Sequence, residues 1–141
     1  MNLFDTNVLL YAMDANSPHH QPSREAIESA LTGPQGVAFA WLAVVGFLRL
    51  STKKGILAAP LSVEQALGVL DEWLAHPNAR LLHPGERHAD LLARLLLSVG
   101  TGGNLTNDAH LAALAIEHGA KMVSYDNDFK RFSGLQFQLL S

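Results

Sequence analysis

Three aspartates occupy positions from which a carboxylate could act on a substrate. Asp5 and Asp126 each follow a short apolar run, and Asp108 lies in a segment with helical spacing. Carboxylates that meet in one crevice repel one another and raise each other's pKa unless they share a cation. A hard divalent ion such as Mg²⁺ or Mn²⁺ prefers oxygen ligands, and water bound to it can attack a phosphodiester. If the three carboxylates converge, these residue types favour metal-assisted hydrolysis.

Taken alone, each aspartate also has an ordinary structural interpretation. Asp5 opens an Asp-Thr-Asn sequence that is equally typical of a helix cap. Asp108 fits an acidic residue in the first turn of a helix, where the helix dipole favours it. Asp126 and Asp128 flank Asn127 before a short helix, so at least one of them fits a cap or turn. Only the convergence of the acids distinguishes chemistry from capping.

The sequence offers no competing chemistry. It contains no cysteine, so it has neither a disulfide framework nor a thiolate metal site, which suits a cytoplasmic protein. It has no phosphate-binding P-loop and no Gly-x-Ser-x-Gly nucleophile motif, and its seven histidines form no metal-binding pair in a His-Glu-x-x-His pattern. His110, two residues after Asp108, is expected to be a helix residue that makes a hydrogen bond.

The elements that must position these acids alternate between strand and helix. Strands are predicted at residues 1–4, 36–40, 80–83, 121–125 and 135–139, and helices at 8–13, 22–31, 41–52, 62–76, 86–99, 105–118 and 127–132. Ser62 with Gln65 indicates a capping box, Asn104 is predicted to cap the helix at 105, and Gly119 is predicted to end it. This order predicts an α/β fold with a parallel sheet of about five strands, covered by helices on both faces. Asp5 and Asp126 then lie at the carboxyl ends of their strands, where such sheets bind ligands.

Length and charge restrict the possibilities further. At 141 residues the chain is expected to form a single domain over residues 1–141. The net charge of -3 argues against a broadly basic surface, so any contact with nucleic acid must be local. Asp5 interrupts the first apolar run, and the longest uncharged stretch is broken by glycine and proline. We therefore expect a soluble protein with no signal peptide and no membrane span.

Four segments in this order resemble a PIN-domain ribonuclease, specifically a VapC-type toxin of a toxin–antitoxin pair. They are LFDTNVLLY at 3–11, FLRLST at 47–52, TNDAHLAALA at 106–115 and SYDNDF at 124–129. The resemblance covers nearly the whole chain. It implies an α/β/α sandwich and an endoribonuclease that depends on Mg²⁺ or Mn²⁺ and acts on structured RNA. It also implies a homodimer and a small VapB-like antitoxin that blocks the site.

The resemblance also implies roles for individual residues. Asp5, Asp108 and Asp126 would be the catalytic metal ligands, with Asp5 and Asp108 anchoring the metal and Asp126 helping to position the attacking water. Four further residues would orient ligands or waters from just behind them. These are Thr6, Asn7, Ser124 and Asp128.

One position departs from the family pattern. Many members carry a glutamate in the middle helix, where this chain has Gly46, and no acid occurs between residues 29 and 63. The departure predicts weaker metal binding, and it leaves open a catalytically weakened PIN-fold module that binds RNA or an antitoxin. Because glycine inside a helix costs about 1 kcal/mol relative to alanine, it needs a reason. Close packing, room for substrate and an inactivating substitution are the candidates.

Basic residues provide candidates for substrate binding. Arg49 lies one helical turn after Gly46, so it could reach the acidic crevice or a substrate phosphate, or it could pair with a structural carboxylate. Lys53, Lys54 and the pair at 130–131 could form a local patch facing RNA. A third hypothesis, a small phosphatase of the haloacid-dehalogenase type, is disfavoured because it needs a second acid at the position of Asn7.

Overall fold

The computed structural model describes residues 1–141 and contains one sheet of five parallel strands. The strands are β1 (Asn2–Phe4), β2 (Val37–Ala40), β3 (Ala79–Leu82), β4 (Lys121–Ser124) and β5 (Gln136–Leu139). The helices are α1 (Thr6–Tyr11), α2 (His20–Thr32), α3 (Trp41–Thr52), α4 (Val63–Ala75), α5 (His88–Val99) and α6 (Leu105–His118), with a 3₁₀ turn at Asn127–Arg131. The predicted α/β class and the predicted number of strands are confirmed.

The core has two layers because side chains alternate between the two faces of each strand. On β2, Val37 and Phe39 pack among α1, α2, α3 and α4, whereas Ala38 and Ala40 face α5 and α6. The alanines of α6 lie against these small strand residues, so the helix can approach the sheet closely. The result is an α/β/α sandwich, as predicted.

The strand order places a crevice beside β1. The strand order in the sheet is β3-β2-β1-β4-β5. The second and third strands thus lie on one side of β1, and the fourth and fifth lie on the other side. Ligands of open parallel sheets bind at the carboxyl ends of the strands where the order reverses. In this molecule that position lies between the ends of β1 and β4.

Most predicted boundaries hold within two residues, and the differences have local causes. Helix α1 begins at Thr6 rather than at residue 8, because Asp5 caps it directly. The capping box of Ser62 and the left-handed Gly119 are confirmed. The predicted cap at Asn104 is wrong: its backbone is already helical (φ -64°, ψ -22°), and its side chain makes no capping hydrogen bond, because a cap needs extended backbone.

None of the helices combines the length and the hydrophobicity that crossing a bilayer requires.

Candidate active site

Asp5 connects the end of β1 to α1 and to the end of β4. Its Oδ1 accepts a hydrogen bond from the Thr6 backbone N–H at 2.8 Å, which caps α1, and its Oδ2 accepts from the Ser124 hydroxyl at 2.7 Å. Its own backbone N–H donates to the Val123 carbonyl at 3.0 Å. The helix-cap interpretation is therefore confirmed, and the same carboxylate also faces the crevice between the two strands.

A polar network behind Asp5 fixes the orientation of its carboxylate. Asn7 donates from Nδ2 to Ser124 Oγ at 3.1 Å, and the Asp126 backbone N–H donates to the same oxygen at 2.9 Å. Ser124 is fully buried, and with both acceptor positions filled its only proton is directed at Asp5. Asn7 and Ser124 therefore hold Asp5 and the turn after β4 in place.

Three other carboxylates lie together at the mouth of the crevice. One oxygen from each of Asp108, Asp126 and Asp128 lies within 4.8 Å of the others. Asp108 comes from the first turn of α6, and Asp126 caps the 3₁₀ turn by accepting from the Asp128 backbone N–H at 2.9 Å. The structure thus brings Asp108 and Asp126 together as the sequence predicted, and it adds Asp128 to the cluster at the same range. Asp5, the third predicted ligand, is not one of the three acids that meet at this range, but it is close enough for its charge to act on Asp108.

The electrostatics of the site are those of crowded negative charge. Burial and the charge of Asp126, followed by those of Asp5 and Asp128, raise the pKa of Asp108 to about 7. Burial also raises the pKa of Asp5, although its hydrogen bonds from Ser124 and Thr6 oppose the shift, and Asp126 adds to it. None of the charges that shift these two pKa values is positive.

This donor set fits a hard divalent cation. It consists of carboxylate oxygens, with no sulfur, and the group is held by strand ends and helix starts rather than by long loops. A divalent ion would oppose the effects of both the burial and the repulsion that raise the pKa of Asp108. Mg²⁺, Mn²⁺ and Ca²⁺ all prefer oxygen ligands of this kind.

Gly46 has a packing reason. A Cβ at this position would lie 2.7 Å from Thr6 Oγ1 and 3.1 Å from Thr6 Cγ2. Thr6 is itself held against α3, because its hydroxyl donates to the Ala43 carbonyl at 3.1 Å. Close approach of α3 to α1 thus explains the glycine, and no observation favours the weakened binding module over an active site. Thr6 orients Asp5 through its backbone N–H, while its hydroxyl is engaged by α3.

The side chain of Arg49 is exposed and makes no hydrogen bond or ion pair, so its predicted alternative role as the partner of a structural carboxylate is wrong. The one ion pair in the molecule joins Arg24 and Glu28 on the surface of α2. Arg49 instead lines a shallow, mostly apolar groove between α3 and α4. The groove is also lined by Val45, Leu48, Thr52, Val63, Ala66 and Leu67. His110 makes the hydrogen bond expected of it, to His88 at 3.0 Å.

Sequence reasoning missed an aromatic cluster beside the acids, formed by Tyr11, His19 and Tyr125. Two signals could have found it. Tyr125 lies between Ser124 and Asp126, and Tyr11 follows Asn7 by one helical turn. The third ring, that of His19, comes from the connection between α1 and α2, whose path no sequence pattern specifies.

Comparison with known proteins identifies a matching family and several similar proteins. Residues 3–135 match the family model of the PIN domain. Ribonuclease VapC37 of Mycobacterium tuberculosis is 53% identical over 137 residues, which cover 97% of this chain and 95% of the relative. Ribonuclease VapC33 of the same organism is 39% identical over 133 residues, which cover 94% and 93%.

Solved structures show the same fold. VapBC2 from Rickettsia felis, bound to a DNA fragment from its promoter, superposes with a TM-score of 0.72 at 21% identity, over 99% of this chain and 98% of that chain. VapC20 of Mycobacterium tuberculosis, a toxin that cleaves the sarcin-ricin loop, superposes with a TM-score of 0.66 at 15% identity, over 96% and 99%.

Proposed function

Because this chain belongs to the PIN-domain family and to its VapC group of ribonuclease toxins, we propose that it is a divalent-metal-dependent endoribonuclease that hydrolyses structured RNA. The observation that carries the proposal is the meeting of Asp108, Asp126 and Asp128 within 4.8 Å, next to the fixed carboxylate of Asp5. Burial of Asp108 beside several like charges is costly for the fold, because burial and then the charges of Asp126, Asp5 and Asp128 raise its pKa to about 7.

The four aspartates would hold Mg²⁺ or Mn²⁺. When bound, such an ion lowers the pKa of a coordinated water and neutralises charge on the phosphate and the leaving oxygen. Asp5 and Asp108 would anchor the ion from the end of β1 and the start of α6. Asp126 would help to position the attacking water, and its backbone is fixed by the bond to Ser124. Asp128, exposed at the mouth, provides a further oxygen that faces solvent and substrate.

We propose structured RNA as the substrate class; VapC20, a structural neighbour, is a toxin that cleaves the sarcin-ricin loop. With 10 basic and 13 acidic side chains, the surface contacts RNA only locally. Arg49 contributes a phosphate contact, which is consistent with its exposure and its lack of any partner within the chain.

The chain is inhibited by a small VapB-like antitoxin. The solved relative from Rickettsia felis is a VapBC assembly, and the negative field of four carboxylates attracts a basic segment of a partner. The apolar groove between α3 and α4 offers a surface for apolar partner side chains: Val45 and Val63 expose 55% and 59% of their surfaces there. We also propose that the toxin is a homodimer, to be checked by light scattering.

Cleavage of a structured RNA by the purified protein tests the nuclease proposal. We expect cleavage with Mn²⁺ or Mg²⁺, loss of cleavage in EDTA, and a fall of about 100-fold or more in Asp108→Asn and Asp126→Asn. Asp71→Asn is the matched control, because Asp71 is an exposed carboxylate on α4 without hydrogen-bond partners. Cleavage that persists in EDTA, or that survives both site substitutions, would refute the proposal.

A further inference from the structure

Three aromatic rings form a compact cluster beside the acids. The ring centroids of His19 and Tyr125 lie 4.3 Å apart, those of Tyr11 and His19 lie 5.1 Å apart, and those of Tyr11 and Tyr125 lie 5.4 Å apart. All three side chains are only partly buried, so the cluster combines a packed interior with an exposed rim. These distances are typical of aromatic pairs that stabilise one another.

The cluster is continuous with the candidate active site. Tyr125 separates Ser124 from Asp126 in the chain, and its backbone N–H donates to Asn7 Oδ1 at 3.4 Å. Tyr11 follows Asn7 by four residues on α1, so the two side chains share one face of that helix. Tyr11 and Tyr125 therefore each adjoin the network that holds Asp5, Tyr11 one helical turn after Asn7 and Tyr125 through its backbone bond to Asn7.

Tyr125 is held rigidly. Its hydroxyl accepts from Ser23 Oγ at 2.8 Å and donates to the His19 carbonyl at 3.2 Å, and Ser23 is fully buried in α2. These bonds fix the ring of Tyr125 relative to the acids before any substrate arrives. A preorganised aromatic surface loses little conformational freedom on binding.

The side chain of His19 has no comparable structural task. Its ring nitrogens make no hydrogen bond, and although His19 lies at the N-cap position of α2, its side chain does not cap that helix. Its backbone, rather than its ring, makes the bonds that hold the segment, to Ser17, Ser23 and Tyr125. The ring packs at an angle against both Tyr125 and Tyr11, and the residue remains partly exposed.

We propose that His19, supported by Tyr125 and Tyr11, is a stacking platform for an unpaired RNA base next to the phosphate that the acids address. The inference rests on the proposed function and adds to it the recognition of a single-stranded base. Unpaired bases are recognised by stacking on Tyr and His. This chain needs such a contribution, because a surface with net charge -3 and a cluster of carboxylates repels the RNA backbone.

The test uses a stem-loop RNA with 2-aminopurine in its loop, whose fluorescence falls when the base stacks. Binding is measured in Asp108→Asn, so that cleavage does not interfere. We expect quenching on binding, and about tenfold weaker binding with loss of quenching when His19→Ala is added. His19→Phe keeps an aromatic face without the imidazole charge and is expected to retain both signals. His19→Leu keeps apolar bulk without a π face and is expected to lose the quenching.

The same variants in the active protein separate binding from chemistry. With RNA cleavage as the readout, His19→Ala is expected to raise KM about tenfold while kcat stays within about twofold. Equal binding and quenching by the alanine and parent proteins would overturn the platform. So would a phenylalanine variant as weak as the alanine variant, because the histidine would then act through its charge.

The nuclease proposal and the stacking-platform proposal can be refuted independently of each other. A protein that quenches the probe through His19 but does not cut RNA with metal retains the platform and loses the nuclease. A protein that cuts RNA but is unchanged by His19→Ala retains the nuclease and loses the platform.

Discussion

At the scale of single residues, the same aspartate can cap a helix and also be placed to bind a metal ion. Asp5 caps α1 with one carboxylate oxygen, and Asp126 caps the 3₁₀ turn. Capping fixes each carboxylate at a strand end, which is the precision that a metal ligand needs. The sequence could predict both positions because each follows a short apolar strand. The sequence could not predict that the carboxylate of Asp128 joins those of Asp108 and Asp126, because the position of that side chain depends on the 3₁₀ geometry of the turn.

Asp108 makes the stability of the metal-free protein depend on pH. Its carboxyl has a pKa of 3.8 as the reference value and about 7 in the folded chain, so folding takes up a proton between these values. The contribution of Asp108 to the free energy of unfolding is therefore greatest below about pH 4, and this contribution is lost as the pH rises through 7. Asp108→Asn removes the loss. We expect it to stabilise the protein by about 1 kcal/mol at pH 8, a figure reduced because the side chain is only half-buried.

Thermal unfolding in EDTA checks this expectation. The advantage of Asp108→Asn over wild type should shrink as the pH is lowered from 8 towards 4, and Asp71→Asn should show no such trend. A variant less stable than wild type at pH 8 would contradict the assignment of repulsion to this site.

The same titration predicts how metal binding responds to pH. Asp108 must lose its proton to bind a cation, and its pKa of about 7 lies within the accessible range. We expect Mn²⁺ affinity to rise by about tenfold between pH 6 and pH 8, measured by calorimetry in two buffers of different ionisation enthalpy. An affinity independent of pH over this interval would show that Asp108 is not a ligand.

At the scale of elements, the close contact between α1 and α3 determines what residue 46 can be. The sequence indicated that the glycine needed a reason, but it could not choose between packing, substrate space and inactivation. The choice depends on the distance between two helices, and the structure gives 2.7 Å from a Cβ at residue 46 to Thr6 Oγ1. In contrast, Ser62 and Gln65 determine the start of α4 locally, and there the sequence was sufficient.

Two glycine substitutions test this contact. Gly46→Ala is expected to destabilise the protein by about 1–3 kcal/mol, because the added methyl displaces Thr6 or separates the helices. Since Thr6 also orients Asp5, RNA cleavage should fall as well. Denaturant unfolding and the cleavage assay measure the two effects.

Gly68→Ala is the matched control, because Gly68 lies in α4 and a Cβ there meets nothing within 4 Å. It is expected to stabilise the protein by about 0.5–1 kcal/mol through helix propensity and to leave cleavage unchanged. If Gly46→Ala behaved like this control, the packing explanation would be wrong.

At the scale of the whole molecule, the fold was predictable and the surface was not. Alternating strand and helix patterns determine the sandwich, and the strand ends then locate the acids without further information. The apolar groove beside Arg49 and the cluster around His19 depend on how separate segments meet, so neither has a local pattern. Both are partly exposed, and their residue types alone do not reveal which segments come together.

The overall charge predicts how RNA binding depends on salt. The basic side chains that we propose meet phosphates are exposed, namely Arg49, Lys53, Lys54, Lys130 and Arg131. If these five make the contacts, the slope of log K against log salt should be no steeper than about -4.5. Anisotropy of labelled RNA with Asp108→Asn between about 50 and 200 mM salt measures it. A slope near -8 would indicate a more extensive basic contact surface and would contradict the proposed local contact.

Calorimetric titration of the purified protein with Mn²⁺ tests the central claim, that carboxylates from separate elements share one divalent ion. The account predicts a saturable heat for the wild type that Asp5→Asn and Asp126→Asn each abolish or weaken by at least tenfold, while Asp71→Asn titrates as the wild type does. If the wild type gives no heat, or if all four proteins titrate alike, the acids do not form a metal site.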